Sequence, residues 1–320
     1  MVPAANSGLC MTDASGPMPQ GNHGDLLRDG WDAIVNRLRA LVGLRRSGPR
    51  KPTYAFYRHT IPVRVLHWIN AVCLLVMLMT GLQIFNAHPA LYWGQASDFD
   101  HPILSLTAQG TAEKYWGVTQ IGPWSFNTDG VLGVSDTDGV KTVRGFPQWA
   151  TIPSASPNLA LGRLWHFAFA WLLVFNGLAY FAYAFWSGHF RKELLPTKKD
   201  FTDLPHEIVT HAKLQFPKGE AAKHYNGLQR LSYFFVLCIL GPLIVLTGLT
   251  MSPTMDSAFP FLLWVFGGRQ SARTIHFIVA FSFVGFFIVH MAALIASAPI
   301  NGLRSMITGY FAIEKETGDG

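Results

Sequence analysis

Four histidines of this 320-residue chain, His67, His166, His276 and His290, sit inside or at the mouths of otherwise apolar stretches. An imidazole in such a segment is costly to keep in a bilayer, and residues of this kind mark ion, proton or cofactor sites. His276 and His290 stand fourteen residues apart on one segment. At about 1.5 Å per residue that is roughly 21 Å along a helix, with the second side chain returned to within about 40° of the first. One helix can therefore serve two sites, one near each membrane face. Three of the histidines follow an arginine by three residues: Arg64-Val-Leu-His67, Arg163-Leu-Trp-His166 and Arg273-Thr-Ile-His276. Residues three apart share a helix face, so the arginine can sit at headgroup level while the histidine points into a bundle. A second echo, Thr80-Gly81-Leu82 and Thr247-Gly248-Leu249, places small residues where helices or a flat ligand can approach closely.

The elements that must position these residues follow from composition. Half of the chain is hydrophobic and only 14 % is charged, with 10 Trp and 24 Phe, which is not the balance of a soluble domain. Four runs reach the length of about 20 residues that a membrane span needs: Ile61 to Phe85, Leu159 to Trp186, Leu231 to Met251 and Thr274 to Ala298. A fifth, Phe259 to Phe266, is too short. Basic residues concentrate in residues 1 to 60 and in the loop 187 to 227, while the loop 87 to 159 holds only Lys114, Lys141 and Arg144 against six acidic residues. By the positive-inside rule both termini and the middle loop are cytoplasmic, and the long first loop is periplasmic. The net charge of +6 is then a topological signal, and no motif supports a nucleic-acid partner. Cys73 and Cys238 fall within apolar spans as packing residues, and Cys10 lies in the tail, so no disulfide framework is implied.

The fold expected is an all-α membrane protein, a four-transmembrane-helix bundle. Residues 1–53 form a cytoplasmic arm, with a Gly-, Pro- and Ser-rich tail to residue 24. An amphipathic helix follows from Asp25 to Arg46, suited to a membrane surface or to the protein's own cytoplasmic loop. Residues 54–312 form the membrane domain and 313–320 a C-terminal tail. The loop 87 to 159, with Trp93, Trp116, Trp124, Trp149 and several turn signals, is too long for a connector and is expected to fold as a small cap.

Neutral imidazole is a good axial ligand for haem iron, and two such ligands leave no open position, which favours electron transfer over oxygen chemistry. Topology pairs His67 with His290 near the inner face and His166 with His276 near the outer face. Haem propionates are anions that arginine binds well, so Arg64 is assigned to the inner haem, and Arg163 and Arg273 to the outer one. Snorkelling alone could account for Arg64, less readily for the two on the side where basic residues are scarce. A single zinc or copper site is excluded by the separation of about 20 Å between the pairs; a haem-free proton relay in a transporter stays open. His59, His88, His101, His189, His206, His211 and His224 fall in loops or at interfaces, where a solvated imidazole needs no further role.

Taken together, Arg-x-x-His-Trp at residues 64 to 68, His166 at the start of the second span, the His276/His290 pair and Tyr225-Asn226-Gly227-Leu228-Gln229 resemble the bacterial di-haem cytochrome b family. This family comprises the b561-like membrane subunits of nickel-iron hydrogenase, formate dehydrogenase and thiosulfate reductase. The resemblance covers roughly residues 54 to 312. It implies two b-type haems held by the four histidines and electron transfer between a periplasmic oxidoreductase and the quinone pool in the bacterial inner membrane. Quinone is then expected near the inner haem, against His290 and Asn226, with Gln229 a weaker candidate. A quinone carbonyl needs a hydrogen-bond donor, which the Asn226 amide can be; the same asparagine also reads as a helix N-cap. The acidic first loop and the 50-residue arm depart from the common pattern. They leave the partner open, a molybdenum enzyme being one candidate. The alternative is a self-contained transmembrane oxidoreductase acting on a small periplasmic redox substrate.

Overall fold

The computed structural model describes residues 53–137, 139–153, 158–213, 215–216, 223 and 225–314. The tail expected at residues 1 to 24 and the amphipathic helix expected at 25 to 46 lie outside them. In chain order the helices are α1 (Ile61–Phe85), α2 (Leu159–Trp186), α3 (Lys198–Ala212), α4 (Gly227–Met251), α5 (Pro253–Ala258), α6 (Phe261–Val265), α7 (Arg269–Ser297) and α8 (Pro299–Thr308). Helices α1, α2, α4 and α7 are long and apolar enough to cross a membrane. The shortest have 25 residues, about 37 Å at the usual rise, against a hydrocarbon core of about 30 Å. Protein covers only 6 % to 22 % of the residues in the apolar stretch of each. Leaving so much aliphatic and aromatic surface in water would cost about 25 cal/mol per Å², so lipid is the solvent for these faces.

Local chemistry sets where the spans begin and bend. Pro62 stands in the first turn of α1, where a missing N–H costs nothing. The Asn158 side chain caps α2 by accepting from the Leu161 N–H at 2.9 Å. Helix α4 opens with a capping box in which the Asn226 Oδ1 accepts from the Gln229 N–H and the Gln229 Oε1 accepts from the Asn226 N–H. Within α4, Pro242 has no N–H to offer the preceding turn, and Val236–Leu240 widen into a single π turn.

The spans pack as two antiparallel hairpins, α1 along α2 and α4 along α7. The first is held by Asn176, which is buried and donates from Nδ2 to the Leu66 carbonyl at 2.9 Å and to Asn70 Oδ1 at 2.7 Å. Such interhelical bonds contribute about 0.6 to 2 kcal/mol each in a bilayer.

The description as all-α holds for the spans and fails outside them. Between α1 and α2 the strands β2 (Ala90–Leu91), β3 (Leu104–Gly110), β4 (Tyr115–Ile121) and β5 (Trp124–Asn127) form an antiparallel sheet in that order, followed by the hairpin of β6 (Gly133–Thr137) and β7 (Val140–Arg144). This cap is seated on the bundle. Phe85 of α1 shares a core with Leu91 and Leu106, against which Phe146 and Phe277 of α7 pack. Arg144 enters the same region, buried, with Nη2 on Gln83 Oε1 and on Thr151 Oγ1 at 2.6 Å. The first N–H groups of α7, which no helical carbonyl can serve, are taken by the cap: Gln270 and Ser271 donate to the Gly94 carbonyl at 3.0 and 3.1 Å.

At the opposite end of the bundle, β1 (Thr53–Tyr57) and β8 (Tyr310–Glu314) pair antiparallel, from Thr53 opposite Glu314 to Tyr57 opposite Tyr310. This clasp is close-fitting at Gly309, whose φ of 90° favours glycine and where a Cβ would lie 2.6 Å from the Tyr57 ring. Helix α3 packs on the start of α4, with the Glu207 carboxylate accepting from the N–H groups of Gly227 at 3.1 Å and Leu228 at 2.6 Å.

Candidate haem sites

Each of the four histidines stands about two turns inside a helix end. His67 is the seventh residue of α1, His166 the eighth of α2, His276 the eighth of α7 and His290 the eighth from its end. The antiparallel spans thus bring His166 and His276 together near the cap, and place His67 and His290 at the clasp end.

The cap-side pair is closely defined. The ring centroids of His166 and His276 are 6.3 Å apart with planes at 60°. Two imidazoles on opposite sides of one metal, each bonded at about 2 Å, hold their centroids about 6 Å apart, so the gap has the width of a six-coordinate iron. Thr80 Oγ1 lies 3.0 Å from His166 Nδ1, and Thr247 Oγ1 lies 3.0 Å from His276 Nδ1. Gly81 and Gly248 back the two rings: a Cβ on either would sit 3.4 Å from the imidazole Cε1. The repeated Thr-Gly-Leu is therefore two copies of one cradle, each on the first helix of a hairpin and facing the histidine of the second. Among the described residues neither Nε2 has a hydrogen-bond partner, and both are left for a ligand.

The clasp-side pair is held by aromatic contact. His290 stacks on Phe286 at 5.7 Å and meets the edge of Tyr233 at 6.5 Å. His67 stands edge-on to Trp68 at 5.4 Å. The Nδ1 of His67 is buried without a hydrogen bond. An orphaned imidazole nitrogen is expensive in an apolar interior, and a ring that gives its other nitrogen to a metal needs a polar neighbour here. The cap-side pair fits haem by its spacing; the clasp-side pair offers two imidazoles at one end of the bundle.

The arginines are placed less uniformly. Arg273 donates from Nη2 to the His88 carbonyl and lies 5.4 Å over the Phe85 ring. Arg163 is exposed, 5.7 Å over Phe167. Arg64 gives Nη1 to the Ile307 carbonyl at 2.7 Å and, with Val65, Trp68, Ile69, Met306 and Ile307, lines a groove of about 400 Å³. Arg58, which carries no sequence signal of its own, packs over Phe311 at 4.9 Å and Tyr225 at 5.7 Å with its Nε buried and unpaired. Burial pushes the Tyr225 hydroxyl well above its usual pKa, so a neutral phenol faces this cation.

Asn226 is more engaged than its expected role requires. Besides capping α4 it donates from Nδ2 to His211 Nε2 at 3.0 Å, and His211 in turn donates from Nδ1 to the Glu207 carbonyl at 2.8 Å. His211 was expected to be solvated and is half-buried in this network instead, because α3 folds back over the start of α4. His59 departs in the same way. It is buried, and desolvation together with Arg58 lowers its pKa to about 4.

The model of the prokaryotic cytochrome b561 family matches residues 58–309. The chain belongs to this family. It is therefore a multi-pass membrane protein of the haem b electron-transfer class. Among curated proteins, "Putative protein-methionine-sulfoxide reductase subunit YedZ1" of Azospira oryzae is 35 % identical over 151 residues, covering 46 % of this chain and 70 % of that protein. The four histidines are conspicuous in the sequence, whereas Thr80, Thr247, Arg58 and His211, which the structure places beside them or at the same ends of the bundle, are not. The Thr-Gly-Leu echo pointed to the first two, but as small residues rather than as hydrogen-bonding ones.

Proposed function

We propose that this cytochrome b561 is a di-haem subunit carrying electrons between the quinone pool and an oxidoreductase on the periplasmic side of the bacterial inner membrane. The observation that carries the reading is the pairing at two depths, with the cap-side imidazoles separated by the width of one bis-ligated iron. The excess of Lys and Arg before α1 and between α2 and α4 supports a cytoplasmic clasp and a periplasmic cap.

His166 with His276 and His67 with His290 hold the two groups; Arg273 and Arg163 lie on the cap side to meet anionic edges, and Arg58 and Arg64 do so on the clasp side. When bound, b haem supplies one-electron chemistry at an iron with no vacant coordination position. Quinone would bind at the clasp end, where Asn226 and Gln229 offer amide donors at the start of the helix whose Tyr233 meets His290, and where His211 and Glu207 connect Asn226 toward the cytoplasmic surface. The β cap with its exposed Trp93, Trp124 and Trp149 is the docking face for the partner. The reductase designation of the Azospira relative favours electrons running outward from quinol. The substrate of the partner is not assigned.

The test is spectroscopic and stoichiometric. The full chain purified in detergent is expected to show a reduced b-type α band with two haems per chain, bleached by quinone and restored by quinol. One haem per chain, or none, overturns the di-haem assignment.

A further inference from the structure

We propose that Thr80 and Thr247 are positioning residues that fix the tautomer of the two cap-side imidazoles and, by polarising their Nδ1–H groups, hold the potential of the group bound there below the value it would otherwise take. This rests on the di-haem reading above.

The inference follows from counting protons. A threonine hydroxyl has one proton to give and two lone pairs to receive with. Thr80 Oγ1 lies 2.8 Å from the Val76 carbonyl and Thr247 Oγ1 lies 2.7 Å from the Leu243 carbonyl, each one turn back along its own helix. A carbonyl can only accept, so the single hydroxyl proton is committed there. Toward the histidine each hydroxyl is then an acceptor, and the Nδ1 atoms 3.0 Å away must carry the hydrogen. The Nε2 lone pairs are left facing the gap.

A hydroxyl acceptor on the Nδ1–H pushes electron density into the ring and makes Nε2 a better donor to a metal. A more basic ligand favours the ferric over the ferrous state, which lowers the potential. The arrangement is duplicated, with both Thr-Gly cradles giving the same Nδ1 and Cε1 distances. The clasp-side pair has no equivalent at His67, whose Nδ1 is unpaired. The device thus distinguishes one site of the wire from the other.

The experiment is potentiometric titration of the full chain in detergent, comparing Thr80→Val, Thr247→Val and the double variant with Thr80→Ser and Thr247→Ser. Valine keeps the shape and removes the acceptor; Gly81 and Gly248 still back the rings, so both haems are expected to be retained. Each valine variant is expected to raise one of the two midpoints and leave the other unmoved, with the double variant shifting it further, and serine restoring it. The expected change in ferric preference is on the order of tenfold for the pair, which a one-electron titration reads as about 59 mV. Two haems per chain with both midpoints unmoved in the double variant overturns this proposal alone. Fewer than two haems in the unaltered chain overturns the di-haem reading itself. If valine releases the cap-side haem, the serine variants decide: an unaltered midpoint with haem retained supports the hydroxyl as the active group, and loss with serine as well overturns it.

Discussion

The two histidine pairs stand at equal depths from opposite ends of the same bundle, yet one is held by hydrogen bonds and the other by aromatic faces. At the cap, each imidazole is fixed by a threonine hydroxyl and backed by a glycine. At the clasp, His290 lies on Phe286 and Tyr233, and His67 leaves a nitrogen unpaired. A hydrogen bond sets direction and charge; an aromatic contact sets position and leaves charge free. The first kind of site suits a fixed relay whose properties must not drift. The second suits a site that shares its surroundings with an exchangeable substrate.

The sharpest way to break this contrast is to delete ligands one at a time. His166→Ala and His276→Ala should each remove one haem of two and leave the clasp-side spectrum intact, while His290→Ala should remove the other haem and abolish quinone reactivity. A haem count still at two after either change would reject the pairing. Acid separates the ends next. His59 is buried neutral at the clasp with its pKa lowered from 6.5 to about 4, so the unfolded chain binds the extra proton first. Its stabilising contribution is full above pH 6.5 and is lost as pH falls toward 4, about 3 kcal/mol in all. Haem release over that window should come from the clasp site, and His59→Asn should flatten the dependence; equal release from both sites would remove the distinction.

Smaller effects test the finer geometry. Asn226→Ala removes a cap and the contact to His211, and should cost about 1 to 2 kcal/mol of thermal stability while weakening quinone-site inhibitors with both haems retained. Unchanged inhibitor affinity would confine Asn226 to capping. The least effect is expected from Gly81→Ala: the new methyl would meet His166 Cε1 at 3.4 Å, an ordinary contact, and alanine favours a helix by up to about 1 kcal/mol. The cap-side haem should stay, whereas Gly81→Leu should expel it, as measured by the pyridine haemochrome content.

How far the sequence discloses this molecule depends on the range of each cause. The limits of α1 are written locally, in Pro62 at its start and in the polar Asn86 after Phe85, and the same holds for Asn158 before α2. The β cap is not written that way. Strand β3 shows no clean alternation of buried and exposed residues, since its buried neighbours Ser105 and Leu106 owe their burial to β4, β6 and the ends of the spans. The four histidines stand out because polar groups are rare in apolar spans. Thr80 and Thr247 do not, because where the one hydroxyl proton goes is settled by a carbonyl four residues back and by the facing helix of the same hairpin. His59 and His211 read as surface residues until the chain at Gly309 comes back to the one and α3 carries the other onto the start of α4.

Strand β1 precedes all four spans in the chain and its partner β8 follows them. During synthesis, then, the first strand of the domain must wait unpaired while every helix is inserted, and Arg58 and His59 beside it cannot take up their final surroundings until residues 310–314 have emerged. A chain arrested or clipped before β8 would keep all four histidines and still leave this end of the bundle unfinished. Such a chain would expose an open strand edge and a loose arginine to whatever surveys newly inserted membrane proteins.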